Sequence, residues 1–446
     1  GVDWLVEACD PVLPVRATLL REGDDPALLT AGAARLQPGA WTGVYRQRRT
    51  TPLAVEWEIE IAQESTAMHP VIAQVPEGEE LYLRYHPGES VAVIEMWTGA
   101  LAHLRVFDVD LSGIRNIPEA GGPGLLQLPE TAGYRAYTAF AVPSGGAVRR
   151  EFRWTGPAGP VRLVLDLEPP APSPIPEPQR DRHFRALRAG AVGSRLAFGR
   201  REDLTEQLES RFIRPYEGEG RFSILTPGFV SFEGEAEGAA WLDTLLQQAE
   251  RRLVTHHLGI RLLTVAEGPA RRALAAGTLR PGEVLSGDVL VAISEEGGSS
   301  TGESVQLHVL DGIDASFRAG RSVLGLTRLD VEVAQQAGGS DPQVGAHFDG
   351  LSGEASLRRM RDGTLLDLHA RVDHASAQAG KVRLVHRPPV GMGSERDVFP
   401  PPREVDEIEL PVLGGDSAVV AGTALLPPGG DEVLVDVVVH GGEVIL

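Results

Sequence analysis

The chain has 446 residues, with 62 acidic and 42 basic side chains and a formal net charge of −20. This charge opposes binding to nucleic acid and to anionic membrane surfaces. Glycine (52) and proline (33) punctuate short apolar runs, which is typical of a loop-rich β-protein, and the single cysteine, Cys9, excludes an intrachain disulfide.

Residues 1–167 are predicted to form a first β-domain. Alternating or continuous apolar runs of strand length support this prediction, and the alternation is clearest at 91–96 and 161–165. The predicted strands are 53–61, 80–84, 91–97, 134–142, 148–154 and 161–166.

A linker and a small module follow the first β-domain. Proline at almost every second position of 168–180 blocks both helix and sheet, which indicates an extended spacer. Residues 181–256 then predict a small α+β module, because two amphipathic helical segments enclose two short strands. The predicted helices are 201–213 and about 239–254, and the predicted strands are 221–225 and 229–232.

Residues 257–446 are predicted to form a second β-domain. An insert at roughly 287–318 is interpreted as an additional β-hairpin with a Gly/Ser-rich tip, which would suit a gate if it pointed into a pore. The predicted strands are 259–265, 289–293, 304–310, 314–318, 328–335, 364–372, 380–385, 405–411, 418–426 and 433–439.

The two β-domains are predicted to be copies of one unit. The run 59–64 (IEIAQE), followed by Pro70 and by Glu77-Gly78, is matched by 331–336 (VEVAQQ), followed by Pro342 and by Asp349-Gly350. A fixed order of turn residues between strands indicates one fold unit used twice. Further matched pairs are Val15-Arg16 with Ile260-Arg261, Ala31-Gly32 with Ala276-Gly277, Pro38-Gly39 with Pro281-Gly282, Pro129 with Pro411 and Pro143 with Pro427.

From 201 onward, the order of segments resembles the bacterial secretins, a family of ring-forming outer-membrane channels. The segments 229–234 (FVSFEG) and 245–251 (LLQQAER) are similar to parts of the family's periplasmic ring-building module. The segment 309–320 (VLDGIDASFRAG) is similar to its strand–Asn/Asp–x–Ala–x–Gly signature, and 330–336 and 410–412 resemble later strands. The first β-domain shares the resemblance only through the internal repeat.

The resemblance implies a homo-oligomeric ring in the cell envelope, and an elementary argument points the same way. An isolated antiparallel unit exposes unpaired N–H and C=O groups along its edge strands. Pairing those edges around a ring of identical chains satisfies the groups. We therefore expect a cyclic homo-oligomer with heterologous contacts.

One acidic stretch fits the spacing of a calcium-binding loop. Asp108, Asp110, Ser112 and Glu119 lie at positions where alternate oxygens surround the ion. A strand precedes the stretch, no helix follows it and Pro118 adjoins the last ligand, so an acidic turn is the favoured interpretation. Whether these four residues bind calcium is left open by the sequence.

Two further motifs are interpreted as non-catalytic. Ser300 lies in 298–302 (GSSTG), which matches G-x-S-x-G, but a strand rather than a helix follows it. His256 and His257 are adjacent and point apart in a helix or a strand, so they are interpreted as cations at a helix C-terminus. No catalytic, cofactor-binding or metal-binding residue is therefore predicted.

Other charged and aromatic residues are given structural roles. Arg46, Arg48 and Arg49 are expected to pair with neighbouring acids, and Glu77, Glu79 and Glu80 are expected in a solvated turn. The tryptophans are expected mainly in the core, since they fall in or beside predicted strands and helices. They are Trp41, Trp57, Trp97, Trp154 and Trp241.

These observations predict a mainly β, non-enzymatic protein of the bacterial cell envelope, in the outer membrane or the periplasm. Two repeated secretin-like antiparallel β-domains would flank a ring-building α+β module. The expected partner is the chain itself, together with other envelope proteins, and no cofactor or nucleic acid is expected. The open alternative is a monomeric or dimeric cell-surface β-sandwich that binds glycan or peptide. Stoichiometry, cargo and what precedes Gly1 are left open.

Overall fold

A computed structural model gives the architecture of the chain, and it is almost entirely β, as the sequence predicts. It describes residues 12–23, 26–62, 65–86, 91–109, 124–143, 146–156, 159–169, 183–188, 220–226, 229–234, 240, 254–264, 300–334, 337–360, 362–386, 403–426, 432–440 and 443–445. Within these residues no helix is long and apolar enough to cross a bilayer.

The first repeat is the described part of residues 1–167, and it is built from antiparallel strands. They are β1 (Leu13–Arg21), β2 (Ala27–Leu36), β3 (Trp41–Ala62), β4 (Ser65–His86), β5 (Val91–Val109), β6 (Gly124–Ala141), β7 (Val148–Gly156) and β8 (Gly159–Leu167).

Short strands follow in the middle segment, and the second repeat begins two residues before its expected start. The middle strands are β9 (His183–Arg188), β10 (Gly220–Thr226) and β11 (Phe229–Gly234). The strands of the second repeat are β12 (Thr255–Thr264), β13 (Ser300–Leu310), β14 (Asp314–Ala334), β15 (Ala337–Arg359), β16 (Thr364–His386), β17 (Arg403–Leu426), β18 (Glu432–His440) and β19 (Glu443–Ile445).

The middle segment forms a sheet of its own, in the order β10-β11-β9. Both strands predicted for the α+β module are present, and β9 is an additional one. The predicted helix at 201–213 lies outside the described residues, and so does 239–254 except for Ala240, which is helical, and Val254. The linker 168–180 is described only at Glu168 and Pro169.

The strand pairing is itself repeated. The hairpin β3–β4 turns between Ala62 and Ser65, and its counterpart β14–β15 turns between Ala334 and Ala337. Both hairpins carry a β-bulge at the same place, between Ala54 and Glu56 in the first and between Leu326 and Arg328 in the second. A bulge fixes register and bends its strand, so a shared bulge makes the two hairpins structural equivalents.

A large sheet, called sheet B, collects the long strands of both repeats. Within the set β3 to β6, consecutive strands pair with each other, and the same holds within the set β14 to β17. Over Ser316 to Val323, β14 pairs with β6 on one side and with β15 on the other. Farther along, one residue pair, Leu326 with Val412, joins β14 to β17.

The shorter strands form a second sheet, called sheet A, in the order β19-β18-β12-β13-β7-β8-β1-β2. β1 shows why these segments become strands: its residues alternate between buried and exposed from Leu13 to Leu19, which places one apolar face toward sheet B. The two repeats differ here, because β1 pairs antiparallel with β8 whereas β12 pairs parallel with β18.

Sheets A and B face each other across a shared hydrophobic core. Leu163 and Ile260 of sheet A and Leu83 and Leu368 of sheet B are among its buried members. Tyr134 of β6 stacks on Trp154 of β7 with ring centroids 4.3 Å apart, which ties the two layers together. The protein is therefore a two-layer β-structure in which both repeats contribute to both layers.

Three features differ from the sequence expectations. The strands β1 and β2 lie outside the strands predicted for the first domain, and many predicted strands are fragments of longer ones. The first arm of the hairpin expected at 287–318, the strand 289–293, lies outside the described residues, whereas Ser300 to Glu303, expected in its tip, belong to β13, which pairs with β12 and β7. The turn at Asp311-Gly312 leads from β13 in sheet A to β14 in sheet B.

Candidate functional site: the junction between the repeats

The two repeats meet edge to edge in both sheets, and this contact is called the repeat junction. In sheet B, β6 and β14 pair antiparallel from Tyr137 opposite Ser316 to Glu130 opposite Val323. In sheet A, β7 pairs with β13 at Trp154 opposite Val305. The last strands of the first repeat thus pair with early strands of the second, which is a head-to-tail arrangement.

Polar side chains fasten the junction in sheet B. The Arg321 guanidinium on β14 donates to Glu130 of β6 at 3.1 Å and to Asp349 of β15 at 3.0 Å. Arg321 is half exposed, so this ion pair contributes little stability on its own and acts mainly to fix register.

Hydrogen bonds also link the two layers across the junction. The Thr138 hydroxyl donates to the His308 carbonyl at 2.6 Å, and the Ala141 N–H donates to the Thr255 hydroxyl at 2.8 Å. Within sheet A, the Ser304 N–H donates to the Thr155 hydroxyl at 3.1 Å. Each bond joins one repeat to the other, so the junction satisfies buried polar groups as well as the sheet edges.

His308 lies at the centre of this contact. Its ring meets Phe152 edge-on at 5.2 Å and stacks on His257 at 5.1 Å, and its Nε2 accepts a hydrogen bond from the Glu151 N–H at 3.3 Å. Burial, with help from the Arg150 and His257 charges, lowers the pKa of His308 to about 3. The imidazole is therefore neutral at physiological pH, with its proton on Nδ1.

An apolar cap covers the outer face of the junction. Leu310 and Ile313, beside the turn that leads into β14, pack on Val91, Ala139 and Ala141 of the first repeat. Ile313 is 5% exposed and Ala141 is 8% exposed. The second repeat thus buries an apolar patch of the first in addition to extending its sheet.

The histidine pair differs from its predicted setting. His256 and His257 lie in β12 and not at a helix C-terminus, so the helix-dipole interpretation is wrong. Their side chains point apart, as expected of a strand. His256 is buried with Nε2 3.0 Å from Asp311 Oδ1, whereas His257 stacks on His308.

The arginine cluster pairs with acids, as predicted. Arg46 lies 3.1 Å from Glu80 and Arg49 lies 3.0 Å from Glu77. Glu77 is not in a solvated turn: it lies in β4, is 8% exposed and accepts a hydrogen bond from the Thr51 hydroxyl at 2.8 Å. The hydrogen bonds from Thr51 and Arg49 lower the pKa of Glu77 below its ordinary range.

The tryptophans divide between core and surface. Trp154 is buried at the junction, and Trp97 is half-buried beneath the Arg48 guanidinium, 5.3 Å from its ring. Trp41 is 42% exposed, so the core-packing prediction is wrong for this residue. The Trp57 side chain and the whole of Trp241 lie outside the described residues.

The calcium and serine motifs fall largely outside the description. Asp108 lies near the end of β5, while Asp110, Ser112 and Glu119 are not described. Ser300 begins β13, and the two residues before it are not described. In the described parts of the chain, no three His, Cys, Asp or Glu side chains are grouped to hold a metal ion.

Sequence reasoning missed His308 and Arg321 because their junction partners are distant in the chain. Glu151 is 157 residues from His308, and Glu130 is 191 residues from Arg321. The internal repeat offered one usable signal: Arg321-Asp349 occupies the place of Arg49-Glu77, and both pairs are 3.0 Å apart.

No protein-family model, curated protein or solved structure matches this chain.

Proposed function

We propose that the protein is the structural subunit of a large homo-oligomeric ring or pore in the bacterial cell envelope, acting as a conduit or scaffold without catalysis. One observation supports the self-assembling part of this proposal above all others. Two copies of one unit are already joined head to tail in a single chain, through both sheets.

Two one-sided strand edges in sheet B are open to the same contact. The outer edge of β3 pairs with no described strand, and β17 beyond Val412 pairs with β16 alone among the described strands. A bare edge carries unpaired N–H and C=O groups, which a neighbouring strand satisfies. A contact between unlike edges is heterologous, so its repetition gives a ring if the rotation closes.

The envelope location and the conduit role rest on the sequence resemblance of 201–446 to secretins. The net charge of −20 agrees with a partner other than nucleic acid. The non-catalytic role rests on the sequence, because a strand follows Ser300 where a nucleophile elbow needs a helix, and an acidic turn is the favoured interpretation of 108–119.

Particle size is the direct test. Light scattering and negative-stain electron microscopy of the purified protein should show a ring whose mass is many times that of one chain. A species with the mass of one or two chains, at concentrations well above those in the cell, would contradict the proposal and support the cell-surface binding alternative.

A further inference from the structure

We infer that a second copy of this chain docks on β17 through its β3, in the antiparallel register that β14 uses on β6. This inference rests on the proposed self-assembly and specifies its contact. The repeat junction is then the template for the interface between chains.

The correspondence between strands is fixed by shared landmarks. β3 matches β14 through the hairpin turn, the β-bulge and the positive-φ glycines Gly78 and Gly350. β17 matches β6 because each ends just before the matched Pro143 and Pro427, and the hairpins that follow, β7–β8 and β18–β19, turn at equivalent places. The free edges of sheet B are therefore the counterparts of the edges joined inside the chain.

The template gives a residue-level register. Inside the chain, Arg318 of β14 lies opposite Arg135 of β6. Arg318 corresponds to Arg46, and Arg135 corresponds to Val419. In the interface between chains, Arg46 of one copy therefore lies opposite Val419 of the next.

Exposure at the equivalent positions agrees with this assignment. At the internal junction, Ile313 and Ala141 are buried in the same apolar cluster. Their counterparts on the free edges are Trp41 of β3, which is 42% exposed, and Leu425 of β17, which is 59% exposed. Trp41 lies 6.4 Å from Tyr137 of its own chain by ring centroids, yet much of its surface stays open. The inferred contact would cover both side chains.

The exposure of residues along β3 agrees as well. Residues 46–50 are all exposed, although successive strand residues point to opposite sheet faces. Ala319 and Gly320, at the matching place in β14, are buried between β6 and β15. The side of β3 that has no described neighbour is therefore the side on which β14 meets β6.

The inference is confined to sheet B. In sheet A the second repeat departs from the first, because β18 pairs with β12 along its length and with β19 at its end. A neighbouring chain therefore meets a different edge in sheet A from the one that β7 offers to β13.

Disulfide trapping tests the register. In a Cys9→Ser background, Arg46→Cys and Val419→Cys are introduced together, because directly opposite strand residues come within disulfide distance. Mild oxidation should give a ladder of covalent multimers on a non-reducing gel. Arg46→Cys with Leu425→Cys is the matched control, since its second position lies along the same face but out of register.

A third pair checks the chemistry within one chain. Arg135→Cys with Arg318→Cys should form an intrachain disulfide at the internal junction, visible as blocked thiols on a single-chain band. A large particle that forms no 46–419 ladder, or forms the 46–425 ladder equally well, overturns the inferred register and leaves the proposed assembly standing. A particle of single-chain mass overturns both.

Discussion

Gly78 and Gly350 occupy the same place in the two repeats, each at positive φ (125° and 152°) and each directly after an acidic residue held by an arginine of the neighbouring strand. Left-handed backbone is costly for residues with a side chain. The repeated Glu/Asp-Gly step therefore marks one backbone conformation that the two hairpins share.

Alanine at either glycine should be strongly destabilising. A Cβ at Gly78 would collide with the Gln47 carbonyl oxygen, and one at Gly350 would collide with the Ala319 carbonyl oxygen. With the backbone strain added, each substitution is expected to lower the free energy of unfolding by about 2–4 kcal/mol, measured by urea denaturation. Gly146→Ala is the control, because nothing lies within 4 Å of a Cβ there. Equal losses of unfolding free energy at Gly78, Gly350 and Gly146 would contradict a special backbone role for the first two.

Tyr134 and Trp154 should respond in opposite directions. The Tyr134 hydroxyl is buried and forms no hydrogen bond with any described group, and burial raises its pKa. Removing that unsatisfied group in Tyr134→Phe should raise the free energy of unfolding by about 1 kcal/mol. Trp154→Ala leaves a cavity between the layers and should cost about 3–5 kcal/mol. A destabilised Tyr134→Phe would reveal a partner for the hydroxyl.

Acid should loosen the repeat junction through His308. The pKa of His308 is about 3 in the folded chain and 6.5 ordinarily, so the unfolded chain binds the proton more readily. The contribution of neutral His308 to the free energy of unfolding is fully present above about pH 6.5. It declines as pH falls from there toward about 3, by at most about 1.4 kcal/mol per pH unit. His308→Gln keeps an acceptor near Glu151 and should flatten the decline measured by urea unfolding.

His86 provides the comparison for that experiment. Burial and the Arg84 charge lower its pKa to about 4, so His86 contributes a second acid-sensitive group that His308→Gln leaves in place. Part of the pH dependence should therefore persist in the His308 variant and shrink further in a variant that also carries His86→Gln. Identical pH profiles for the wild-type and His308→Gln proteins would show that His308 does not titrate as described.

Leu425→Asp should block assembly without unfolding the chain. Leu425 is 59% exposed, so a charge there costs the single chain little, but it would be buried without a partner in the inferred interface. Sedimentation should show a shift from large particles to single chains, with an unchanged circular dichroism spectrum. Val106→Asp, at a 51% exposed position on β5, which takes no part in the inferred contact, should assemble normally. If both variants assemble alike, β17 is not the docking edge.

Local patterns predicted the fold class and the positions of many strands, because alternation at runs such as 91–96 depends only on neighbouring residues. Strand lengths were underestimated for a physical reason. By the usual rule Pro70 and Pro76 would break β4, yet both lie where β4 pairs with β3 alone, since its pairing with β5 begins at Gly78. Proline is tolerated on such a one-sided stretch. Pro342 lies in the same setting in β15, before its pairing with β16 begins at Gly350.

The junction could not be derived in the same way. Its register depends on which strand of the first repeat meets which strand of the second, and no local pattern encodes that choice. The residues next to Arg321 in the sequence do not distinguish it from other strand arginines. Only the pairing of β6 with β14 brings Glu130 to it.

The neighbour-to-neighbour order of sheet B also has a consequence for biosynthesis. On the ribosome, β3 to β6 can pair as each one emerges, because each needs only the strand made just before it. β14, however, is translated only after the linker and the middle segment. The nascent first repeat must therefore stay soluble with the outer edge of β6 unpaired until β14 has been made.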